Sequence, residues 1–233
     1  MEFLIVAIII VIMVLILKYL FNINMKEMKK MGHNKKLDEL TKKYPENIEI
    51  CKWCLKKLNN QNVQIEENES KESCLYIAVT NKILIANIKD SYTRIQTIAH
   101  ECLHSIQSKK VLQFNFIFSN IYLLYFAVIS ILGVLNILPN KWFFLSLLIL
   151  LSMVYLLVRN FLENDAMIKA KYLAQEYMED TKISSKQEID EIILEYERIN
   201  KYGIIGTNYY LFYNVCIKIL IFSLICFIRT VAF

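Results

Sequence analysis

Four long apolar runs alternate with polar stretches along the chain. They cover residues 3–21, 114–138, 142–158 and 210–228. A helix of about 19 residues spans roughly 28 Å, close to the thickness of a bilayer's hydrocarbon core. The pattern therefore predicts four transmembrane helices, of which the second and third form a hairpin around Pro139-Asn140-Lys141.

The first run is followed directly by lysine and asparagine, with no basic residue before it and no small-residue cleavage site after it. These features favour a retained signal anchor over a cleaved signal peptide. We therefore expect five segments. They are the anchor (1–21), a polar segment (22–113), the transmembrane hairpin (114–158), a second polar segment (159–209) and a C-terminal transmembrane helix (210–233).

The polar segments carry weaker patterns of their own. Amphipathic stretches at Lys36–Tyr44 and Ile48–Leu58 predict short helices, whereas residues 74–88 predict two strands around a Thr80-Asn81-Lys82 turn. Residues 66–72 are expected to form a charged loop. Ser185 and Glu188 have the spacing of a capping box and predict the start of a further amphipathic helix.

The basic residues are distributed asymmetrically. Of 27 lysines and arginines, 16 lie in residues 22–113 and seven in 159–209, against one in the 139–141 turn. The positive-inside rule then places both polar segments in the cytoplasm of a plasma-membrane protein. We expect the bilayer, and no nucleic acid, as a partner. Lys218, inside the last run, must face protein, water or a headgroup.

The first polar segment contains His100-Glu101-Cys102-Leu103-His104, an H-E-x-x-H pattern. Residues four apart share a helix face, so the two histidines can bind one ion while Glu101 reaches a water molecule as general base. Ser91 is the predicted N-cap. The apolar positions expected to pack on the opposite face are Ile95, Ile98, Ala99, Cys102, Leu103 and Ile106. A chance pentapeptide is the alternative interpretation.

A catalytic zinc needs a third protein ligand, and no histidine follows His104. The two predicted membrane spans after His104 return the chain to the same side of the membrane, and Glu163 follows directly after the second of them. Glu163 also shares a helix face with Ala166, Ala170, Leu173, Ala174 and Tyr177. The other open choices are His33, in a loop-like setting that favours a solvated side chain, and Asp165, Glu176 and Asp180.

Cysteines offer a weaker signal. Cys51 and Cys54 form a C-x-x-C pair, but no second pair completes a structural zinc site of known spacing. In the cytoplasm these thiols are expected to stay reduced. Cys102 is an alternative candidate for a metal ligand, although its position on the apolar helix face argues against that role.

The segment Ala99-His-Glu-Cys-Leu-His-Ser-Ile-Gln107, the hydrophobic hairpin and Glu163-Asn-Asp-Ala166 together resemble the YugP-like neutral zinc metallopeptidases, relatives of the HtpX-like gluzincins. The resemblance implies one zinc ion bound by His100, His104 and Glu163, with Glu101 as general base. This chain differs from the family pattern at two positions. Position 103 is leucine where close relatives often have glycine, and position 167 is methionine where the HtpX-like pattern has a supporting aspartate.

The expected fold is thus a mainly α membrane protein with four transmembrane helices and a small cytoplasmic α+β zincin-like part. The expected function is zinc-dependent hydrolysis of polypeptides in or beside the membrane. The alternative is a catalytically weak or inactive zinc-binding scaffold. A protease with its site inside the bilayer is disfavoured, because Asp90, Arg94, Gln96 and Gln107 surround the motif.

Overall fold

The computed structural model describes residues 1–24, 30–68 and 73–231. The chain divides into two compact units. The apolar unit comprises residues 1–23, 114–161 and 205–233, and the polar unit comprises residues 24–113 and 162–204. The candidate site lies wholly in the polar unit.

Within the described residues, four helices are long and apolar enough to cross a membrane, as predicted: α1 (Glu2–Leu20), α5 (Lys109–Val134), α6 (Lys141–Thr181) and α7 (Lys186–Val231). Their most apolar windows have mean hydropathies between 2.1 and 3.1. Many large apolar side chains on them are exposed, for example Ile9 and Leu15. Such surfaces are favourable in lipid and costly in water. The core of the apolar unit includes Tyr122, Ile129, Leu148 and Phe222.

Several helix boundaries differ from the prediction. Helix α7 joins the predicted amphipathic helix after Ser185 and the predicted C-terminal transmembrane helix without a break. Helix α5 ends at Val134, four residues before the expected end of the second run, and Asn136 adopts a positive φ of 56°. Helix α6 runs without a break across the predicted boundary between the transmembrane hairpin (114–158) and the second polar segment, and continues through Glu163 to Thr181. No glycine or proline interrupts α6, so nothing in the sequence stops helix propagation.

Lys218 lies in the apolar unit. Its Nζ is 5.5 Å from the centroid of the Tyr122 ring and 3.4 Å from the carbonyl oxygen of Asn214. The side chain therefore meets a π face and a helix carbonyl, both of which attract an ammonium group.

The polar unit contains a three-stranded sheet in the order β1-β3-β2. The strands are β1 (Gln64–Asn68), β2 (Leu75–Ile77) and β3 (Lys82–Ala86), with β3 parallel to β1 and antiparallel to β2. The predicted hairpin is thus confirmed. The prediction of a charged loop was wrong for residues 66–68, which belong to β1; residues 69–72 lie outside the described residues. A largely exposed edge strand needs few apolar residues, so β1 gave no alternating signal.

The polar unit also contains three short helices among its described residues: α2 (Lys35–Thr41), α3 (Asn47–Lys57) and α4 (Arg94–Ile106). The capping box at the start of α7 is confirmed. The amide of Ser185 donates to Glu188 Oε2 at 2.8 Å, and the amide of Glu188 donates to Ser185 Oγ at 3.3 Å. The predicted buried face of the helix that follows is confirmed at Ile189, Ile192 and Tyr196, whereas Ile193 and Ile199 are half-buried.

Arg94, at the start of α4, is only 1% exposed. Its Nη2 donates to the carbonyls of Thr41, Tyr44 and Pro45 at 3.0, 2.7 and 2.9 Å, and its Nη1 donates to Asn47 Oδ1 at 3.1 Å. Burial lowers the pKa of Arg94. One guanidinium thus fastens the α2–α3 loop to the helix that carries the histidines.

We predict that Arg94→Met lowers the free energy of unfolding by roughly 2–4 kcal/mol, because the buried carbonyl of Tyr44 and Oδ1 of Asn47 lose the guanidinium donor. Arg94→Lys should restore part of this loss, since an ammonium cannot reproduce the guanidinium fork. Chemical unfolding of the full chain in detergent measures the change. The control is Arg198→Met, which removes an exposed ion pair with Glu195; an equal loss in that variant would contradict the assignment.

Candidate metal centre

Helix α4 sets the geometry of the two histidines. Its N-cap is Thr93, so the prediction of Ser91 was wrong by two residues. Ser91 instead forms the preceding turn, where its carbonyl accepts from the Arg94 amide at 3.1 Å. The predicted apolar face is buried except at its end: Ile106, the last helical residue, is 46% exposed.

His100 and His104 face each other across one helical turn. Their Nε2 atoms are 3.0 Å apart, and the ring planes are nearly perpendicular, at 89°. Two imidazole nitrogens at this distance need either a shared proton or a cation between their lone pairs. The arrangement therefore suits a positive ion.

Glu163, on α6, completes the group. Its Oε2 lies 3.6 Å from His100 Nε2 and 3.7 Å from His104 Nε2. All three side chains are largely buried, with 13–18% of their surface exposed. The structure thus brings together the three residues that the sequence singled out, and this group could hold a metal ion.

The spacing of the three atoms agrees with bonds to one small ion. Ligands bound at about 2.0–2.1 Å in tetrahedral geometry lie roughly 3.3 Å from each other. The three observed distances, 3.0, 3.6 and 3.7 Å, bracket that value. Two imidazoles and one carboxylate are also ligands that divalent transition metals prefer.

Gln107 fixes the orientation of His104. Its Nε2 donates to the carbonyl of Leu162 at 2.8 Å and lies 3.2 Å from Asp165 Oδ2, and its Oε1 lies 2.9 Å from His104 Nδ1. A carbonyl can only accept, so the glutamine nitrogen must face Leu162 and its oxygen must face the imidazole. Nδ1 of His104 then carries the proton, which leaves Nε2 with a lone pair for a metal.

Charges around His104 favour its protonated form when no metal is bound. Burial acts to lower the pKa of His104, but the hydrogen bond to Glu163 and the charge of Glu101 outweigh it, and the pKa is raised overall. Surroundings that stabilise an imidazolium also stabilise a metal cation at the same position. The electrostatics of the group therefore agree with its geometry.

The other carboxylates considered as ligands have different partners. Asp165 forms a 2.5 Å ion pair with Lys169 besides its contact with Gln107; burial acts to raise its pKa, but these two partners lower it. Glu176 and Asp180 lie 3.0 and 3.9 Å from Lys57. His33 is exposed.

Met167, where the HtpX-like pattern has an aspartate, lies against α7. A side chain at Gly203 would come within 2.8 Å of the Met167 methyl group, and the Met167 carbonyl accepts from Asn200 Nδ2 at 3.0 Å. This position therefore serves the packing of α6 on α7. Support for a histidine comes from Gln107 instead.

The carboxylate of Glu101 contacts the sheet. The side chain is buried, and its Oε2 accepts from the main-chain N–H of Tyr76 at 2.6 Å. Tyr76 is the middle residue of edge strand β2 and lies opposite Ile83 of β3. Its N–H points away from β3, so this is a non-hydrogen-bonded pair, and Tyr76 is the single residue of β2 whose main chain faces outward.

This contact bears on the role of the hairpin. An extended polypeptide adds to a sheet edge through outward-facing N–H and C=O groups. In β2 the one outward N–H is already bonded to Glu101. The contact therefore indicates a hairpin that covers the metal helix rather than one that pairs with an extended polypeptide.

The buried thiols lie on the opposite face of α4. Cys102 Sγ is 3.6 Å from Cys51 Sγ, and both side chains are fully buried. Burial raises the pKa of Cys102 well above its ordinary value. A protonated Cys102 thiol packed against α3 is a poor metal ligand, in agreement with the argument from the helix face.

Sequence reasoning did not assign a role to Gln107 or to the Tyr76 amide. Gln107 follows His104 by three residues, a helical spacing that could have indicated contact. The Tyr76 amide carries no sequence signal, because every residue except proline has one.

Comparisons with known proteins identify no relative. No family model matches the chain, and neither a curated protein nor a solved structure matches it.

Proposed function

We propose that this chain is an integral-membrane zinc metallopeptidase of the YugP-like kind, hydrolysing peptide bonds in membrane or juxtamembrane polypeptides. The observation that carries the proposal is the convergence of His100, His104 and Glu163, with Glu101 next to the first histidine. Two histidines one helical turn apart plus a glutamate from another helix are the donor set of a catalytic zinc site with room for a water ligand.

Each residue has a role that its contacts support. His100 and His104 bind the ion through Nε2, and Gln107 holds His104 in the tautomer that permits this. Glu163 supplies the third ligand and offsets part of the ion's charge. A bound zinc ion would polarise a water molecule and the scissile carbonyl. Glu101 takes a proton from the water and returns it to the departing amine.

The proposed setting is a multi-pass protein of the plasma membrane with the site on the cytoplasmic face. Four span-length helices and the concentration of lysines and arginines in the polar segments support it. Substrates from the same membrane, unfolded or with flexible flanks, would reach such a site by diffusion in two dimensions.

Replacing Glu101 tests the proposal most directly. Glu101→Gln should reduce cleavage of unfolded β-casein by roughly 10²–10⁴-fold, because an amide cannot take the proton. Zinc content should stay at one ion per chain, since Glu101 is not a ligand in the proposal. Cleavage is followed by gel or fluorescence with the full chain in detergent, and zinc by elemental analysis.

Glu67→Gln is the matched control, because Glu67 is exposed in β1 and should leave cleavage unchanged. Undiminished cleavage by Glu101→Gln would refute its role as base. A wild-type chain that binds zinc but cleaves no polypeptide would favour the inactive scaffold.

A separate prediction concerns Glu163, the proposed third ligand. Glu163→Gln should weaken zinc binding at least 10-fold, because a neutral amide is a poor ligand. Competition with a chromogenic chelator measures the affinity. Glu176→Gln, on the same helix but exposed and paired with Lys57, should bind zinc as the wild type does. Equal affinities of all three proteins would exclude Glu163 as a ligand.

Gln107→Leu should weaken zinc binding about 10–100-fold, because His104 loses the acceptor that selects its tautomer. Gln107→Glu keeps an oxygen for Nδ1 and should lose less. The same chelator competition measures both variants, with the exposed Gln113→Leu as control. Unchanged affinity in Gln107→Leu would show that the hydrogen bond does not influence the metal.

A further inference from the structure

We infer that the main-chain N–H of Tyr76 is a positioning group for Glu101, which determines the carboxylate oxygen that receives the proton. The inference rests on the proposed function, since it assigns Glu101 the role of base. It adds an element of the site that lies on the sheet and on neither metal-binding helix.

The first step is the environment of Glu101. Its side chain is only 7% exposed, and a buried carboxylate requires hydrogen-bond donors. Among the described residues, the Tyr76 amide is the one donor bonded to it, at 2.6 Å to Oε2. A bond between an N–H and a carboxylate is charge-assisted and therefore strong. Oε2 is thus held, and Oε1 is the oxygen left for a water molecule.

The second step is that the donor itself is fixed. The Tyr76 ring is 9% exposed, and its hydroxyl donates to Asn81 Oδ1 at 2.9 Å. Asn81 in turn donates through Nδ2 to the carbonyl of Asn62 at 3.0 Å, and the β2–β3 register places Tyr76 opposite Ile83. The amide is therefore positioned by the sheet and does not depend on a mobile side chain.

The third step is the location of the proton. The Tyr76 N–H occupies one lone pair of Oε2 and bonds better to a carbonyl-type oxygen than to a hydroxyl oxygen. This favours transfer of the proton from the water molecule to Oε1, while Oε2 accepts from Tyr76 as a carbonyl oxygen. The same contact is compatible with both protonation states, so the base can accept and return a proton without reorienting.

Proline at position 76 removes this N–H selectively. Because the amide faces away from β3, Tyr76→Pro takes no hydrogen bond from the sheet, and proline is tolerated in edge strands. Tyr76→Ala is the matched control: it also loses the ring and the hydroxyl but keeps the N–H. Replacing the amide with an ester, by incorporating the α-hydroxy acid of tyrosine, provides a second test in case the proline variant does not fold.

With the full chain saturated with zinc, Tyr76→Pro and the ester should lower kcat for fluorogenic casein about 10–100-fold. KM should change less than about 3-fold, and zinc affinity should stay unchanged. Tyr76→Ala keeps the N–H, so its kcat should fall clearly less than that of Tyr76→Pro, whatever the loss of the ring and the hydroxyl costs. A purely structural role would lower kcat equally in the alanine and proline variants. That result, or an unchanged or raised kcat in the proline and ester variants, would overturn the inference.

A second measurement does not depend on proteolysis. Tyr76→Pro should lower Tm relative to Tyr76→Ala by several degrees when Glu101 is present, and this difference should vanish in Glu101→Ala. Additive Tm changes would refute the contact itself. If the wild type cleaves nothing while the Tm changes are coupled, the proposed function fails and the contact between Tyr76 and Glu101 stands.

Discussion

The contact on which the candidate site depends is the hydrogen bond from Gln107 to the carbonyl of Leu162. It joins the end of α4 to α6 one residue before Glu163, and the opposite end of the same amide holds His104. A neutral side chain thus sets both the tautomer of an imidazole and its distance from the carboxylate. Because the Gln107 amide is uncharged, it makes these hydrogen bonds without the desolvation cost of burying a further charge.

The polar unit is also connected by charges far apart in sequence. Lysines of α2, α3 and the loop between them pair with acidic residues of α6 and α7: Lys36 with Glu191, Lys43 with Glu188, and Lys57 with Glu176. These pairs are exposed, so each contributes little to stability. In each pair the lysine lies on the α2–α3 side and the glutamate on α6 or α7, and this arrangement disfavours other alignments of these helices. The buried network of Arg94 supplies the stronger connection.

The sequence predicted features that arise from spacing within one element. The apolar runs, the histidine pair, the capping box at Ser185 and the β2–β3 hairpin all have a local period or turn signal. The prediction of Glu163 as the third ligand required a further inference, namely that two membrane spans return the chain to the side on which His104 lies. Strand β1 was missed because both its faces tolerate polar residues, and the Ser91 cap was misplaced because serine also stabilises turns. The Tyr76 amide and the role of Gln107 depend on three-dimensional packing.

The short strand β2 has a consequence for association between copies of the chain. An exposed sheet edge is a template on which strands of other molecules assemble into aggregates. In β2 the one outward amide is covered by Glu101, and the opposite edge strand, β1, carries the charged side chains Glu66 and Glu67. Both edges of this small sheet are therefore poor templates for intermolecular strand pairing, one because a carboxylate occupies the outward donor and the other because burial of its charged side chains would cost desolvation energy.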